Sequence, residues 1–586
     1  MKGPDSDQVE MAGSPEYPPE ANVKLNGPPG TGKTTQLLER ITRLLDSGYT
    51  PSDIAFITYR KEMASEFLYR LFNRGYITRS EAEEPWSEDT RLFGTIHGVC
   101  NRLTGDTVLA EDGHKRDFVE TEYGRSYAGE SDRFSAPGSD SRGWGKKMFE
   151  AYDWVLQNER RTFAAAPSLS SPSRGGSKIP DFEEFDSAWT DYMEDAGDPD
   201  ERLQDFINML REVRDEGKSP HADVLIVDEY HDMTPIMRSI AEMWMEDSEV
   251  VIAAGDPLQS IYGFQGSDPR FFTELDLPEV VLDKTFRVSE NIWDYARGVT
   301  YHEPPDIEPA DSGGTVAETR SSPYDVVKRH GIDSTLFLAR TRSEAMNLAR
   351  DLRRNGIIFR SQGGMGGWNH SSTLLSLYDT LQKLRGVYPA DNINPDTGQT
   401  GFDVFGDEGS ASSNLPGSIA FGSPNLVPLI EKVPAGYLNN TKKSTVATID
   451  ATNVVPGDKL MEYVTPEFWE DFTSGEDSVD NLLKYGPKET LKKALAHNSN
   501  PVENIDTAPV PDVMTIHASK GKEAETVYVQ DGMPKPVYEP LVGRNEAAME
   551  ESRVWYVAAT RASDTLLVSK QMPDYYEEFL PSATGY

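Results

Sequence analysis

An α/β architecture built on parallel sheets is predicted by three observations. Gly27-Pro28-Pro29-Gly30-Thr31-Gly32-Lys33-Thr34 fits the phosphate-cradling pattern G-x-x-x-x-G-K-[ST]. Short apolar runs that read as buried strands alternate along the chain with amphipathic runs of helical period. One of those runs, Val224-Leu225-Ile226-Val227, carries the acidic pair Asp228-Glu229 to the carboxyl edge of a sheet, where ligands sit in such folds.

The elements follow in order. Val23 to Leu25 reads as a strand entering the loop, and Thr35 to Asp46 as a helix with Leu37, Leu38, Ile41, Leu44 and Leu45 on one face before Gly48. The loop glycines let successive N–H groups converge on phosphates, Lys33 neutralises the β/γ oxygens, and the Thr34 hydroxyl is placed for Mg²⁺. A nucleoside triphosphate is the ligand such a loop demands. Asp53 to Tyr59 reads as a strand ending in Thr58-Tyr59-Arg60, followed by a helix over Lys61 to Phe72. At the acidic pair, Asp228 can hold Mg²⁺ while Glu229 orients or deprotonates an attacking water. The strand Glu249 to Ala254 runs into Gly255-Asp256-Pro257-Leu258-Gln259-Ser260-Ile261-Tyr262-Gly263-Phe264, and a glutamine at that strand end can contact a γ-phosphate.

At 586 residues the chain is too long for one core, so roughly three to four domains are expected. The single Cys100 excludes an internal disulfide and suits a reducing interior. No N-terminal run has the form of a signal peptide, and no apolar run approaches the roughly 18 residues of a membrane span, so a cytoplasmic protein without a membrane partner is expected. Net charge is −39, with 58 basic against 97 acidic residues spread over the whole length. An even acidic excess is a lever halophiles use, since high salt screens the self-repulsion. With arginine exceeding lysine, it suggests a high-salt cytoplasm and a haloarchaeon or one of its viruses as the source, an acidic mesophile being the alternative. The richest basic island, Arg340 to Arg360, reads equally as a solvated helix face or a DNA track.

Further blocks occur in a set order: Gly94-Thr95-Ile96-His97-Gly98, Phe286-Arg287, His517-Ala-Ser-Lys-Gly-Lys-Glu523 and Tyr556-Val-Ala-Ala-Thr-Arg561. Together with the phosphate loop, Thr58, Asp228-Glu229-Tyr-His-Asp232 and Gly255 to Tyr262, they resemble the UvrD/Rep/PcrA group of superfamily 1 DNA helicases. The resemblance implies two RecA-like domains that close on ATP and Mg²⁺ and move 3′ to 5′ on single-stranded DNA or at single/double-strand junctions. Position by position it implies that Gly27 through Gly32, Lys33, Thr34 and Thr35 bind the nucleotide, with Thr34 and Asp228 on the metal and Glu229 on the water. It places Gln259 on the γ-phosphate, Arg287 and Arg561 as arginine fingers from the second domain, Phe286 on adenine and Glu523 on ribose. DNA contacts fall to Thr58, Tyr59, Arg60, Thr95, His97, Tyr262, Phe264 and His517.

The implied layout is a flexible N-terminus over 1–20 and a first RecA-like domain over 21–100 plus 221–280, with an accessory insert at 101–220. The second RecA-like domain takes 281–387 plus 509–586, and its insert 388–508. Within the inserts, Phe163 to Pro180 reads as a linker, Asp181 to Glu216 as helical, 388–425 as irregular, and Ser478 to His497 as a helix. Little room is left after Leu566-Leu567-Val568 for an appended nuclease. Two departures bear on coupling: His231 stands where the family usually has Gln, and Phe264-Gln265 where it has Trp-Arg. Alternative readings are a protein-stripping translocase, an RNA helicase with the same engine, or an ATP-gated DNA-binding factor with little turnover. Replication, repair and viral genome processing, partner proteins, and a monomeric or dimeric state stay open.

Overall fold

The structure, a computed structural model, describes residues 18–570 apart from 85–86, 88, 106, 128–142, 170–178, 198–201, 311–312, 332–334, 362–367, 369–372, 388–419, 453, 457–461, 466, 469–482, 484–487, 498–501, 503–504 and 542–544. The expected flexible N-terminus, the middle of the 163–180 linker, most of the irregular 388–425 stretch and the first half of the 478–497 helix lie outside the described residues. Two compact units emerge, Met1–Gly313 with Pro540–Thr560, and Gly314–Glu539 with Arg561–Tyr586. The segments 281–313 and 540–560, placed by sequence with the second RecA-like domain, thus pack in unit 1.

Unit 1 is built on a sheet of six strands: β1 (Val23–Asn26), β2 (Ile54–Thr58), β3 (Phe93–Thr95), β6 (Val224–Val227), β7 (Val250–Gly255) and β8 (Glu279–Val281), in the order β3-β2-β6-β7-β1-β8. All of its pairings are parallel. Side chains alternate across a strand, and here both faces are covered. Ile54, Phe56, Val224 and Ile226 enter one core with Leu37, Leu38 and Ile41 of α1 (Lys33–Asp46) and Phe67 and Leu68 of α2 (Lys61–Asn73). Ala55, Ile57, Leu225 and Val227 enter the other. That second core is completed by α3 (Ile96–Leu103), α4 (Asp112–Tyr123), α5 (Trp144–Gln157), α6 (Phe182–Ala196), α7 (Phe206–Asp215) and α8 (Pro235–Glu246).

The insert therefore shares its apolar interior with the sheet. Its only described strands are the two-residue pair β4 (Val108–Leu109) and β5 (Leu203–Gln204), which pair in parallel. The stretch 181–216, read as helical, comprises α6, β5 and α7, and Asp205 caps α7 by accepting from the Ile207 N–H at 3.0 Å. After the sheet, β9 (Lys284–Ser289) pairs with β10 (Glu308–Ala310), and α9 (Glu290–Val299) packs against the returning helix Glu546–Ala559.

Unit 2 has its own parallel sheet, formed by β11 (Thr315–Thr319), β12 (Thr335–Ala339), β13 (Arg360–Ser361), β16 (Asp512–Thr515), β17 (Ala524–Asp531) and β18 (Ala562–Lys570), in the order β11-β18-β17-β12-β16-β13. An antiparallel ribbon of β14 (Ala420–Gly422) and β15 (Val454–Pro456) lies in the insert. The basic island forms the helix Arg342–Arg354, opened by a Thr341/Glu344 capping box and burying Ala345, Leu348, Ala349 and Leu352. Its Arg342, Arg350 and Arg354 lie on the exposed face, while Arg360 donates to the carbonyls of Asp506 and Ala508 at 2.9 and 3.0 Å.

Candidate functional site

Three strand ends meet at the carboxyl edge of the unit 1 sheet. The register pairs Asn26 with Gly255 and Val227 with Ala253, so the loop after β1, Asp228 after β6 and Asp256 after β7 leave the sheet side by side. Gly30 and Gly32 have φ of 76° and 82°, and Gly32 caps α1 with no side-chain acceptor. The first N–H groups of the helix are thereby left to point into the loop. A Cβ on Gly27 would lie 2.3 Å from Lys33 Cγ, so the cradle exists only with glycine there. Lys33 Nζ donates to Gly27 O at 2.6 Å, and Thr31 Oγ1 donates to Pro28 O at 2.8 Å. This donor set fits a polyphosphate, and Thr34 beside it follows the pattern for the accompanying cation.

Arg287 and Phe286 come from β9, in unit 1. The Phe286 N–H donates to Gly30 O at 2.9 Å, and Thr285 Oγ1 donates to Pro29 O at 2.8 Å. A Cβ on Gly30 would lie 2.6 Å from Arg287 Cβ. Arg287 therefore stands against the phosphate loop within one compact unit, whereas the sequence expectation brought it from the second domain. The reason is local: β9 is stitched to the loop by the Phe286 N–H and the Thr285 hydroxyl, both donating to loop carbonyls.

The acidic pair is shaped by its backbone. Asp228 is buried and its N–H donates to Ile57 O at 2.8 Å, which holds the end of β6 on β2. Glu229 takes the left-handed conformation, φ 55° and ψ 38°, a costly geometry for a residue with a Cβ. The bend turns the chain into the Tyr230–Asp232 turn and brings Glu229 Oε2 within 3.3 Å of His231 Nε2. Gln259 is tied to Asp256, its Nε2 donating to Oδ2 at 2.7 Å, while Leu258 N–H donates to Oδ1 at 3.0 Å. Burial raises the Asp256 carboxyl above its ordinary range, with Lys33 acting in the opposite direction.

Next to this edge lies an aromatic shelf. Tyr59, after β2, stacks on Tyr262 with centroids 5.4 Å apart, and Phe264, 53 % exposed, meets Tyr262 edge-on. Tyr59 Oη donates to Gln265 Oε1 at 3.1 Å, so Gln265 anchors the shelf. Thr58 is buried, Arg60 opens α2, and Thr95 caps α3 by accepting from Gly98 N–H at 3.1 Å. His97 stacks on Phe206 at 4.1 Å and 10° between planes.

Several residues here were not found by sequence. Phe206, 48 % exposed, lies in an insert without motifs. Trp154 Nε1 and Asn158 Nδ2 of the same insert donate to the carbonyls of Phe264 and Gln265, each at 3.1 Å, and Arg553 Nε donates to Ser260 O at 2.7 Å. No spacing rule announces such backbone clamps.

The remaining predicted residues lie in unit 2. Arg561 is buried at the start of β18, where its carbonyl accepts from Ala524 N–H at 3.1 Å and its Nη1 donates to Lys522 O at 3.3 Å. Glu523 is exposed just before β17, and His517 opens the short turn after β16.

Comparison with known proteins agrees with this geometry. The UvrD/REP helicase N-terminal domain model matches residues 13–277, and the UvrD-like helicase C-terminal domain model matches residues 466–572. The ATP-dependent DNA helicase PcrA of Staphylococcus epidermidis is 22 % identical over 635 residues, covering 97 % of this chain and 83 % of the relative. The PcrA of Staphylococcus aureus is 22 % identical over 614 residues, covering 92 % and 80 %. A solved arterivirus nonstructural protein 10 helicase aligns over 99 % of this chain and 64 % of its own, at 9 % identity and a TM-score of 0.30, too low to carry an argument. With helicase domain models matched over residues 13–277 and 466–572 and two parallel-sheet units in place, the chain is a UvrD/Rep/PcrA-like ATP-dependent DNA helicase.

Proposed function

We propose that the protein is an ATP-dependent DNA helicase that moves 3′ to 5′ on single-stranded DNA. The observation that carries the reading is the joining of two sites on one sheet edge: the Gly27–Thr34 cradle with Asp228, Glu229 and Gln259, and the Tyr59, Tyr262, Phe264 shelf reached from the same β2 and β7 ends. Lys33 and the loop N–H groups would hold the phosphates, while Thr34 and Asp228 would hold Mg²⁺. Bound there, the metal would supply neutralisation of the phosphate charge. Glu229 orients the water for in-line attack and accepts its proton. Arg287 stands beside the loop for the charge developing on the transferred group, a role assigned to Arg561 of unit 2 by its motif alone. Phe286 and Glu523 are assigned to adenine and ribose on the same basis.

On the DNA side, stacking on Tyr262, Phe264 and Phe206 is sequence-tolerant, at about 1–3 kcal/mol per base. Thr58, Arg60, Thr95, His97 and His517 face the backbone in this reading. The test is phosphate release with and without single-stranded DNA, run beside unwinding of duplexes with 3′ or 5′ tails. Stimulation by DNA and unwinding from the 3′ tail are expected. Lys33→Ala should lose nucleotide affinity and turnover together, and Glu229→Gln should keep affinity within about threefold while turnover falls at least about 100-fold. Equal loss of affinity in both variants would remove Glu229 from the water.

A further inference from the structure

The basic island Arg340 to Arg360 is left unused by the two sites on the unit 1 sheet. Its helix, Arg342–Arg354, packs against the helices Pro323–His330 and Lys488–His497 of the same unit. Tyr324 N–H donates to Asp351 Oδ2 at 3.1 Å, and Lys493 Nζ donates to Arg354 O at 3.0 Å. These three helices carry nine lysines and arginines against four carboxylates, in a molecule with 58 against 97. Backbone amides occupy three of the four: Asp325 and Glu344 accept from the Ser322 and Thr341 N–H groups in capping boxes, and Asp351 from Tyr324. The fourth, Glu489, lies 4.0 Å from Lys492.

A solvated helix face in this protein looks different. Arg43, Arg70, Arg79 and Arg238 each have a glutamate four residues away on their own helix, at 2.6 to 3.5 Å. At that spacing Arg350 has Met346 on one side and Arg354 on the other, and like charges so placed destabilise a helix. Among the described residues no carboxylate lies within 4.0 Å of Lys328, Arg329, Arg350, Arg353 or Arg354. The carbonyl end of a helix attracts cations with only about half a unit of negative charge, which Arg353, Arg354 and Lys493 together exceed several-fold. A local rule broken without a compensating contact points to a partner outside the chain. We propose that Arg350, Arg354 and Lys493, with Lys328 and Arg329 on the neighbouring helix, form a second DNA track in unit 2 that holds backbone phosphates. All five side chains are exposed, and Met346, 42 % exposed, is the large apolar residue beside them. No Phe, Tyr or Trp is exposed on these helices, so the face offers phosphates charge and offers bases no stacking partner.

The proposal rests on the DNA-helicase reading above, and the experiment keeps the two apart. Binding is measured against KCl concentration for wild type, Arg350→Glu and the triple variant Arg350→Gln/Arg354→Gln/Lys493→Gln. The probes are single strands of about 10 and about 40 nucleotides and a duplex of about 20 base pairs with a 3′ tail of about 10. In the triple variant the slope of log affinity on log salt should become shallower by about two to three units on the longer strand or the tailed duplex, since each phosphate contributes about 0.7 to 0.9. The probe that shows the change says whether the track holds single or double strand. Affinity for the short strand, and the phosphate release it stimulates, should stay within about twofold of wild type. Arg350→Glu sets a glutamate four residues before Arg354, a pairing that favours the helix, so its melting temperature should hold or rise while affinity for the longer DNA falls at least about fivefold. An unchanged slope on both longer probes overturns the proposal and leaves the helicase reading in place. Wild-type protein whose phosphate release no DNA stimulates overturns both. If the slope is unchanged and a wild-type self-association seen by sedimentation is lost in the triple variant, the face belongs to a second, acidic copy of this chain and the DNA track is overturned.

Discussion

The stack of His97 on Phe206 sets a titration that reports on the DNA edge. Burial under that ring pushes the imidazole down to about 4, from an ordinary value of 6.5. The unfolded chain therefore takes up a proton at higher pH than the native one, so this contribution is complete above about pH 6.5 and is lost as pH falls towards 4. Replacing His97 with Gln should flatten the pH dependence of the unfolding free energy over that window by on the order of 3 kcal/mol. Midpoints in urea at half-unit pH steps would check it. At this scale the convergence of Gly27 to Thr34, Asp228 and Gln259 on one sheet edge was legible because phosphate chemistry dictates residue type and spacing together. Phe206 was not, since the exposure of an aromatic depends on what long-range packing leaves uncovered.

Among the elements, α7 shows how a helix start can serve a site. Asp205 is buried, caps Ile207 N–H with Oδ1, and has Lys115 Nζ 3.5 Å from Oδ2. The next residue is Phe206, so the cap aims the ring that covers His97. Asp205→Ala should lower stability by about 1–2 kcal/mol, leave Lys115 beside Asp153 alone, and weaken single-stranded DNA affinity by about three- to tenfold. Fluorescence anisotropy with a labelled oligonucleotide would measure the second effect, and unchanged affinity would detach Phe206 from the DNA edge. Strands β1, β2, β6 and β7 were read within a residue or so because runs buried on both faces leave little choice. Over 181–216, read as helical, the helices α6 and α7 are separated by β5, which pairs with a strand almost 100 residues earlier and so leaves no local signal.

For the whole molecule, charge decides behaviour more than any contact. With 97 acidic against 58 basic residues, raising KCl from about 0.1 to 2 M shortens the Debye length from about 10 Å to under 3 Å and relieves the self-repulsion. The melting temperature should rise across that range, even as DNA affinity falls through counterion release. A flat or falling melting curve would count against a high-salt host, which rests on composition alone. Among the described residues, no helix is long and apolar enough to cross a membrane. The division into units was the least legible feature, because no Pro/Gly-rich break marks the passage at 280–281, where β8 and β9 stay with the phosphate loop.

The return of Pro540–Thr560 to unit 1 has a consequence for biosynthesis. The nucleotide-binding half cannot close its interior when its own first 313 residues have left the ribosome, since α9 and the Ser260 carbonyl await the helix Glu546–Ala559 and its Arg553. At about 5–20 residues per second, that wait lasts roughly 12 to 50 s, during which Trp293 and its neighbours stay open to water and to chaperones. A nascent chain stalled before residue 546 would hold the complete phosphate loop sequence on a half-finished support.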